Sequence, residues 1–351
     1  MGKKFFLNTI FLIVSFLFTL FLLEIGIRFN IKIKSDKRGI DRIEHYSRSW
    51  PLFKSVKGKK YYFELIPSSK KKLDGFVYQV NDKGLRDNKN NFFRDPKAYH
   101  ILIIGDSMTF GVGVNYEYTY ASILENKLND YFRIKGKKFQ VWNGGVPAYS
   151  LEQIAGSFEQ KSIFLNPDMV ILGFFKDDFV RPSWYYKGGI LYDPAKNFWV
   201  QKLFAKSRLL SSILFRYEHQ KYNPYYYYGE YYLKVDQRWN NAMQNVETIH
   251  NICKKNGLQL LVLDLPTLFW KGHLKKEETK EYPFNLKLEA FCKKNGIAYK
   301  NGLFVFEGLE AKSLWAIPDY DCHYNKKANQ LVAESIFKTF LDTNIFQNKN
   351  Y

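Results

Sequence analysis

Three cysteines in 351 residues are too few to frame a disulfide scaffold, and Cys253, Cys292 and Cys322 stand at no metal-ligand spacing. No metal site and no cofactor are expected. The glycines around Gly111 and Gly113 lack the third glycine and the downstream acid of a dinucleotide fingerprint. No Gly-x-Ser-x-Gly elbow surrounds Ser107. Zinc-finger spacings, RNA-binding signatures and basic heptad helices are missing too, so a formal charge of +19 does not read as nucleic-acid binding. The lysines are spread along the chain as a solvated surface, suited to an anionic neighbour such as phospholipid headgroups or an acidic polysaccharide.

Charge itself is absent from Phe5 to Leu23, a run of Phe, Leu and Ile preceded by Lys3 and Lys4. At about 1.5 Å per residue this run nearly crosses a hydrocarbon core of roughly 30 Å. No small-x-small cleavage site precedes Glu24 and no lipobox cysteine exists, so residues 1–30 read as an uncleaved signal anchor. Counting positive charges places Arg28, Lys32, Lys34, Lys37 and Arg38 behind the span, which taken literally favours a cytoplasmic domain. Large domains nevertheless cross behind such anchors, and an extracytoplasmic domain, periplasmic or on the cell surface, is the expectation.

What is present organises around His100-Ile-Leu-Ile-Ile-Gly-Asp-Ser-Met-Thr-Phe-Gly-Val-Gly113. Ile101 to Ile104, stopped by Gly105, reads as a strand buried on both faces. Ser107 then falls at the carboxyl end of that strand, where open α/β sheets place their chemistry and where backbone N–H groups face a developing oxyanion. Residues 31–95 are basic and turn-rich, a stalk with short β segments in which Val80 to Asp87 forms a turn. From residue 96 to 345 strands and helices alternate. Helices are expected near 118–131, 151–164, 237–255 and 325–341, and strands near 139–142, 167–174 and 258–263. The alternation predicts a parallel sheet with right-handed crossovers. Residues 180–236, rich in tyrosine and tryptophan, break the pattern and read as an insertion or lid. Cys253 and Cys292 each sit in Cys-Lys-Lys-Asn-Gly, where Asn-Gly reads as a helix C-cap, with both thiols buried.

Pro318-Asp-Tyr-Asp-Cys-His-Tyr-Asn325 precedes the closing helix. Its histidine completes a set of chemical types: Ser107 as nucleophile, His323 as base, and an aspartate two residues earlier to orient the imidazole. With these residues in view, the chain resembles the SGNH (GDSL-type) hydrolases, in particular their bacterial membrane-anchored branch. The resemblance lies in four ordered blocks, Gly105-Asp-Ser-Met-Thr-Phe-Gly111, Asn143-Gly-Gly-Val-Pro-Ala-Tyr-Ser150, Gly173-Phe-Phe-Lys-Asp-Asp178 and Asp321-Cys-His323. The Gly84-Leu-Arg-Asp87 turn and the N-terminal helix suit the same branch.

The resemblance implies a flavodoxin-like three-layer α/β/α sandwich with a parallel sheet, preceded here by a transmembrane helix. It implies a serine-dependent esterase or O-acyltransferase with a Ser107, Asp321, His323 triad; the basic surface and the aromatic insertion suit, as the expected substrate, an acylated cell-envelope glycan or lipid. The oxyanion hole it implies comprises Ser107, Ala148 and Asp177. Three positions depart from the family. Ala148 stands where glycine is usual, Asp177 replaces a donating asparagine, and Asp321 precedes the histidine by two residues rather than three, with Asp319 in reserve. The departures leave a second reading open, a catalytically weakened binding or assembly module of the cell envelope.

Overall fold

The computed structural model describes residues 2–38, 51–73, 75–181, 183–187, 190–192, 197–207, 209–210, 236–268, 272–275, 282–317 and 321–343. Within these, the side chains of 30–38, 177, 180, 204–206, 236–238, 282–283 and 321–322 lie outside the description. Helix α1 runs Gly2–Arg38, followed by β1 (Phe53–Ser55), β2 (Phe63–Leu65), β3 (Lys70–Leu73) and β4 (Phe76–Gln79). Then come β5 (Ala98–Gly105), α2 (Ser107–Phe110), α3 (Tyr120–Phe132), β6 (Lys138–Gly145), α4 (Leu151–Gln160), β7 (Met169–Phe175) and α5 (Lys176–Val180). The expected insertion contains β8 (Tyr185–Lys187), β9 (Ile190–Tyr192) and α6 (Phe198–Lys206), and its residues 211–235 fall outside the described set. The chain resumes with α7 (Asp236–Lys255), β10 (Gln259–Leu265), α8 (Tyr282–Lys294), β11 (Ala298–Asn301), β12 (Trp315–Ile317), β13 (Asp321–Tyr324) and α9 (Lys326–Asp342).

Five strands form one sheet in the order β11-β10-β7-β5-β6, every neighbouring pair parallel. Counted along the chain this is the order 2-1-3-4-5 of flavodoxin-like sheets, whose direction of winding reverses between β5 and β7. The reason for a parallel arrangement is visible in β5, where all eight residues are buried. Side chains alternate across it. Ile101 and Ile103 join one core with Leu124 and Leu128 of α3 and Val332 and Ile336 of α9. Leu102 and Ile104 point the opposite way, the side covered by α4 and α7, which pack on one another. Helices on both faces make the expected three layers.

Helix ends follow local chemistry. Ser150 and Gln153 make a reciprocal capping box at the start of α4. Asn325 caps α9 through Ala328 N–H. The two Cys-Lys-Lys-Asn-Gly segments close α7 and α8 identically: Gly257 and Gly296 both have φ of +67°, and Leu258 and Ile297 donate to the carbonyls of Cys253 and Cys292 at 2.9 Å. Both thiols are free and buried, and burial pushes each up to about 12. The expected turn at Val80 to Asp87 is present. Val80 and Arg86 pair across it, and Asn81 Oδ1 accepts from Lys83 and Leu85 N–H at 3.0 Å.

Two compact units divide the chain. One comprises residues 52–72, 76–186 and 223–351, including the parallel sheet; the other comprises residues 1–51, 73–75 and 187–222. In the second, α1 carries an apolar stretch from Lys3 to Phe29 long enough to cross a bilayer.

Candidate active site

The site grows out of the carboxyl end of β5. Gly105 pairs with Gly145 of β6 on one side and Gly173 of β7 on the other, so three glycines lie abreast. A Cβ on Gly145 would strike the backbone of Thr109 and Phe110, and one on Gly105 or Gly173 would strike the Thr109 hydroxyl. The notch they leave lets the short helix α2 settle onto the sheet edge. Asp106 caps that helix, its Oδ1 accepting Met108 N–H at 2.9 Å. Asn143 Nδ2 donates to the Thr109 carbonyl at 2.8 Å, and the Thr109 hydroxyl lies 2.8 Å from that of Tyr120. Burial raises the Tyr120 hydroxyl above its ordinary pKa, keeping it a neutral partner.

Ser107, the first residue of α2, is 9 % exposed. Its Oγ lies 2.9 Å from His323 Nε2, across 216 residues of chain, and 3.2 Å from Asp106 Oδ2. His323 is carried by β13, which pairs antiparallel with β12 and is fixed on both sides of the histidine's strand position. The Tyr324 hydroxyl donates to the Pro266 carbonyl at 2.7 Å, and Asn329 Nδ2 donates to the Tyr324 carbonyl at 2.9 Å. Asn329 Oδ1 meanwhile accepts Tyr120 N–H at 3.0 Å, so one side chain ties the histidine strand to the helix that follows the serine.

The remaining expected site residues stand as follows. Ala148 has a φ of +68°, the left-handed region that favours glycine. Ala148 therefore holds a backbone shape that glycine adopts more readily. Asp321 lies on β13, two residues from His323, and Asp177 lies on α5. Their carboxylates, and the whole of Asp319, are outside the described set. Lys176 is fully buried, its ammonium 5.3 Å from the Phe284 ring centroid.

Sequence reading missed two arginines. Arg181 Nη1 donates to the Tyr149 carbonyl at 2.7 Å and lies 3.4 Å from Asp106 Oδ2 and 3.3 Å from Asp178 Oδ1. It thus links all three blocks around the serine. The signal was a basic residue closely following Asp177-Asp178, hidden because the insertion was expected to begin at residue 180. Arg86 is buried against the stacked Tyr78 and Phe110 rings, its guanidinium 4.7 and 5.0 Å from their centroids. Its Nη2 donates to the carbonyls of Val77 and Val114, and its backbone N–H to that of Asn143. Burial pushes its guanidinium down to about 10. Arg86 braces Phe110, the last residue of the serine helix, from below.

No protein-family model matches the sequence, and no curated protein matches it. Solved structures similar to the chain include two esterases and a GDSL-like lipase. An acetyl xylan esterase, AlAXEase, is 12% identical with a TM-score of 0.43, covering 68% of this chain and 98% of its own. A variant of Axe2, an acetyl-xylooligosaccharide esterase from Geobacillus Stearmophilus, is 11% identical with a TM-score of 0.44, covering 70% and 95%. A GDSL-like lipase from Bacteroides thetaiotaomicron is 13% identical with a TM-score of 0.34, covering 72% and 92%.

Proposed function

We propose that the chain is an SGNH-type serine esterase or O-acyltransferase that acts through an acyl-enzyme. The observation that carries this reading is the 2.9 Å approach of His323 Nε2 to Ser107 Oγ at the carboxyl end of β5. A neutral imidazole there takes the serine proton as Oγ attacks an ester carbonyl. The new oxyanion lies at the start of α2, where the Ser107 N–H and the Ala148 N–H are the candidate donors. Collapse of the tetrahedral species expels the alcohol, which leaves with the proton held on His323. Water, or an acceptor hydroxyl, then attacks the acyl carbonyl as the same imidazole takes its proton, and Ser107 Oγ leaves the acyl carbon and receives that proton back. Asp321 is the candidate orienting acid. Asp177 is the candidate third oxyanion group, and it donates there only in its protonated form.

The proposed substrate is an acylated cell-envelope carbohydrate or lipid. Net charge of +19 suits an anionic envelope surface, and α1 is a candidate anchor for holding the enzyme there, with the catalytic unit on the extracytoplasmic side. Labelling with a fluorophosphonate probe tests the chemistry. The parent chain is expected to be labelled and the Ser107→Ala and His323→Ala variants are not. A parent chain that stays unlabelled while folded would instead support the binding or assembly module.

A further inference from the structure

Helix α6 exposes three apolar side chains that nothing in the catalytic reading uses. Trp199, Val200 and Leu203 are 69%, 51% and 58% exposed. At 100° per residue their spacing puts them on one face. The face is fixed by a defined helix start, because Asn197 Oδ1 accepts both Trp199 and Val200 N–H, at 3.0 and 3.2 Å.

The other end of α6 is fastened to α1. Just past its last residue, the Ser207 hydroxyl donates to Glu24 Oε2 at 2.9 Å, and Leu209 N–H donates to the same oxygen at 2.8 Å. Glu24 is the first charged residue after the apolar run of α1, and it also holds Arg28 at 2.7 Å. A hydrocarbon core of roughly 30 Å takes about 20 residues of helix, so Glu24 falls where acyl chains give way to headgroups. The nine-residue helix α6, about 14 Å long, therefore begins and ends within reach of that level.

Lysines flank the exposed face. Lys187 Nζ lies 5.0 Å from the Phe198 ring centroid, and Lys202 Nζ lies 5.8 Å from the same centroid and 5.0 Å from that of Trp199. Apolar side chains that include a tryptophan, with ammonium groups beside the rings, are what a helix lying in a membrane interface presents to acyl chains and phosphates.

We infer that α6 is an interfacial helix that lies in the same bilayer as α1, with Trp199, Val200 and Leu203 in the boundary between headgroups and acyl chains. The inference rests on α1 occupying the bilayer, and it is independent of the chemistry at Ser107. It gives the insertion a second membrane contact beside the anchor and fixes α1 and α6 as one membrane-seated unit.

The test uses the full chain in nanodiscs holding one copy each, made with plain or brominated phosphatidylcholine. The fluorescence of Trp199 is taken as the difference between the parent and Trp199→Phe. Its emission is expected to fall at least two-fold in lipid brominated at acyl carbons 6 and 7, and less with bromine at carbons 11 and 12. A far-ultraviolet circular dichroism spectrum matching the parent's reports that Trp199→Phe remains folded. A Trp199 signal indifferent to bromine overturns the proposal. So does one that changes only when discs hold two chains, because the occupant of the face is then a second copy. A chain that never enters the discs also overturns it, while leaving the reading of Ser107 to its own label.

Discussion

Strand β5 and helix α1 both carry uncharged apolar runs, and the structure treats them oppositely. All eight residues of β5 are buried, enclosed by β6, β7 and helices on both faces. On α1, Phe5 is 76% exposed and Phe11 73%. Apolar sequence specifies that a segment leaves water, but not what replaces the water. In β5 the protein supplies the apolar surroundings, and the backbone is held by neighbours on both sides up to Gly105, two residues before Ser107. On α1 and the Trp199 face of α6 the described apolar side chains stay largely exposed, and a bilayer is the proposed replacement.

The comparison is broken most severely at the site. Ser107→Ala or His323→Ala is expected to lower turnover of a chromogenic acetyl ester by roughly 10³-fold or more, the scale seen when one member of such a triad is removed. Near-parental turnover by either would sink the mechanism.

Two glycine-to-alanine changes sharpen the contrast between the tight and the open regions. Gly145→Ala drives a methyl into the backbone of α2 and is expected to cost about 1–3 kcal/mol or more, read as a lower unfolding midpoint of the sheet unit. Gly26→Ala on α1 meets no atom within 4 Å and should leave that midpoint unchanged. Equal effects would show that the two regions are not packed as described.

Arg181→Met removes a cation placed between the buried carboxylates of Asp106 and Asp178. Uncompensated buried charge is expected to cost about 1–3 kcal/mol of stability and to lower ester turnover roughly ten-fold through the displaced Asp106. Unaltered turnover would confine Arg181 to a structural part.

The buried thiols of Cys253 and Cys292 give a pH signature. Both are raised from their ordinary value to about 12, so between about pH 9 and 12 they ionise in the unfolded chain while staying neutral in the folded one. The unfolded state then binds fewer protons, and stability must fall as pH rises through that window. Chemical denaturation midpoints at pH 8 and 10 measure it, and replacing both cysteines with alanine should flatten that part of the decline.

The smallest measurable change is expected at Ala148. Its φ of +68° costs an alanine roughly 1–2 kcal/mol, against which glycine's extra unfolded-state freedom weighs about 0.5–1 kcal/mol. Ala148→Gly should therefore stabilise the chain by about 0.5 kcal/mol, visible as a small rise in Tm. A fall in Tm would mean that the alanine methyl makes a contact worth more than the strain.

Local pattern carried the sequence a long way because strands and helices are encoded within a few residues. The uncharged run Ile101 to Ile104, the Pro167 to Phe174 strand and the Asn-Gly caps behind Cys253 and Cys292 all depend on neighbours in the chain, and the sheet unit shows each of them. Strand β6 was expected to end at Trp142, yet it continues through Asn143-Gly144-Gly145. Glycine weakens an isolated strand, but here pairing with Ile103 to Gly105 supplies the bonds, and small size is what the approach of α2 demands.

Chemical type also singled out Ser107 and His323, since few serines and histidines stand beside acids at a strand end. Distance in the chain hid the rest. Arg181 meets Asp106 across 75 residues, and Arg86 reaches Val114 across 28. The sequence by itself determined which segments are apolar, where helices begin and stop, and which side chains have the chemistry of a nucleophile and a base. Only the tertiary structure decided that Ser107 and His323 meet at 2.9 Å, that Arg181 reaches Asp106, and that the end of α6 is tied to Glu24, because each contact is set by how distant elements pack and by no spacing along the chain.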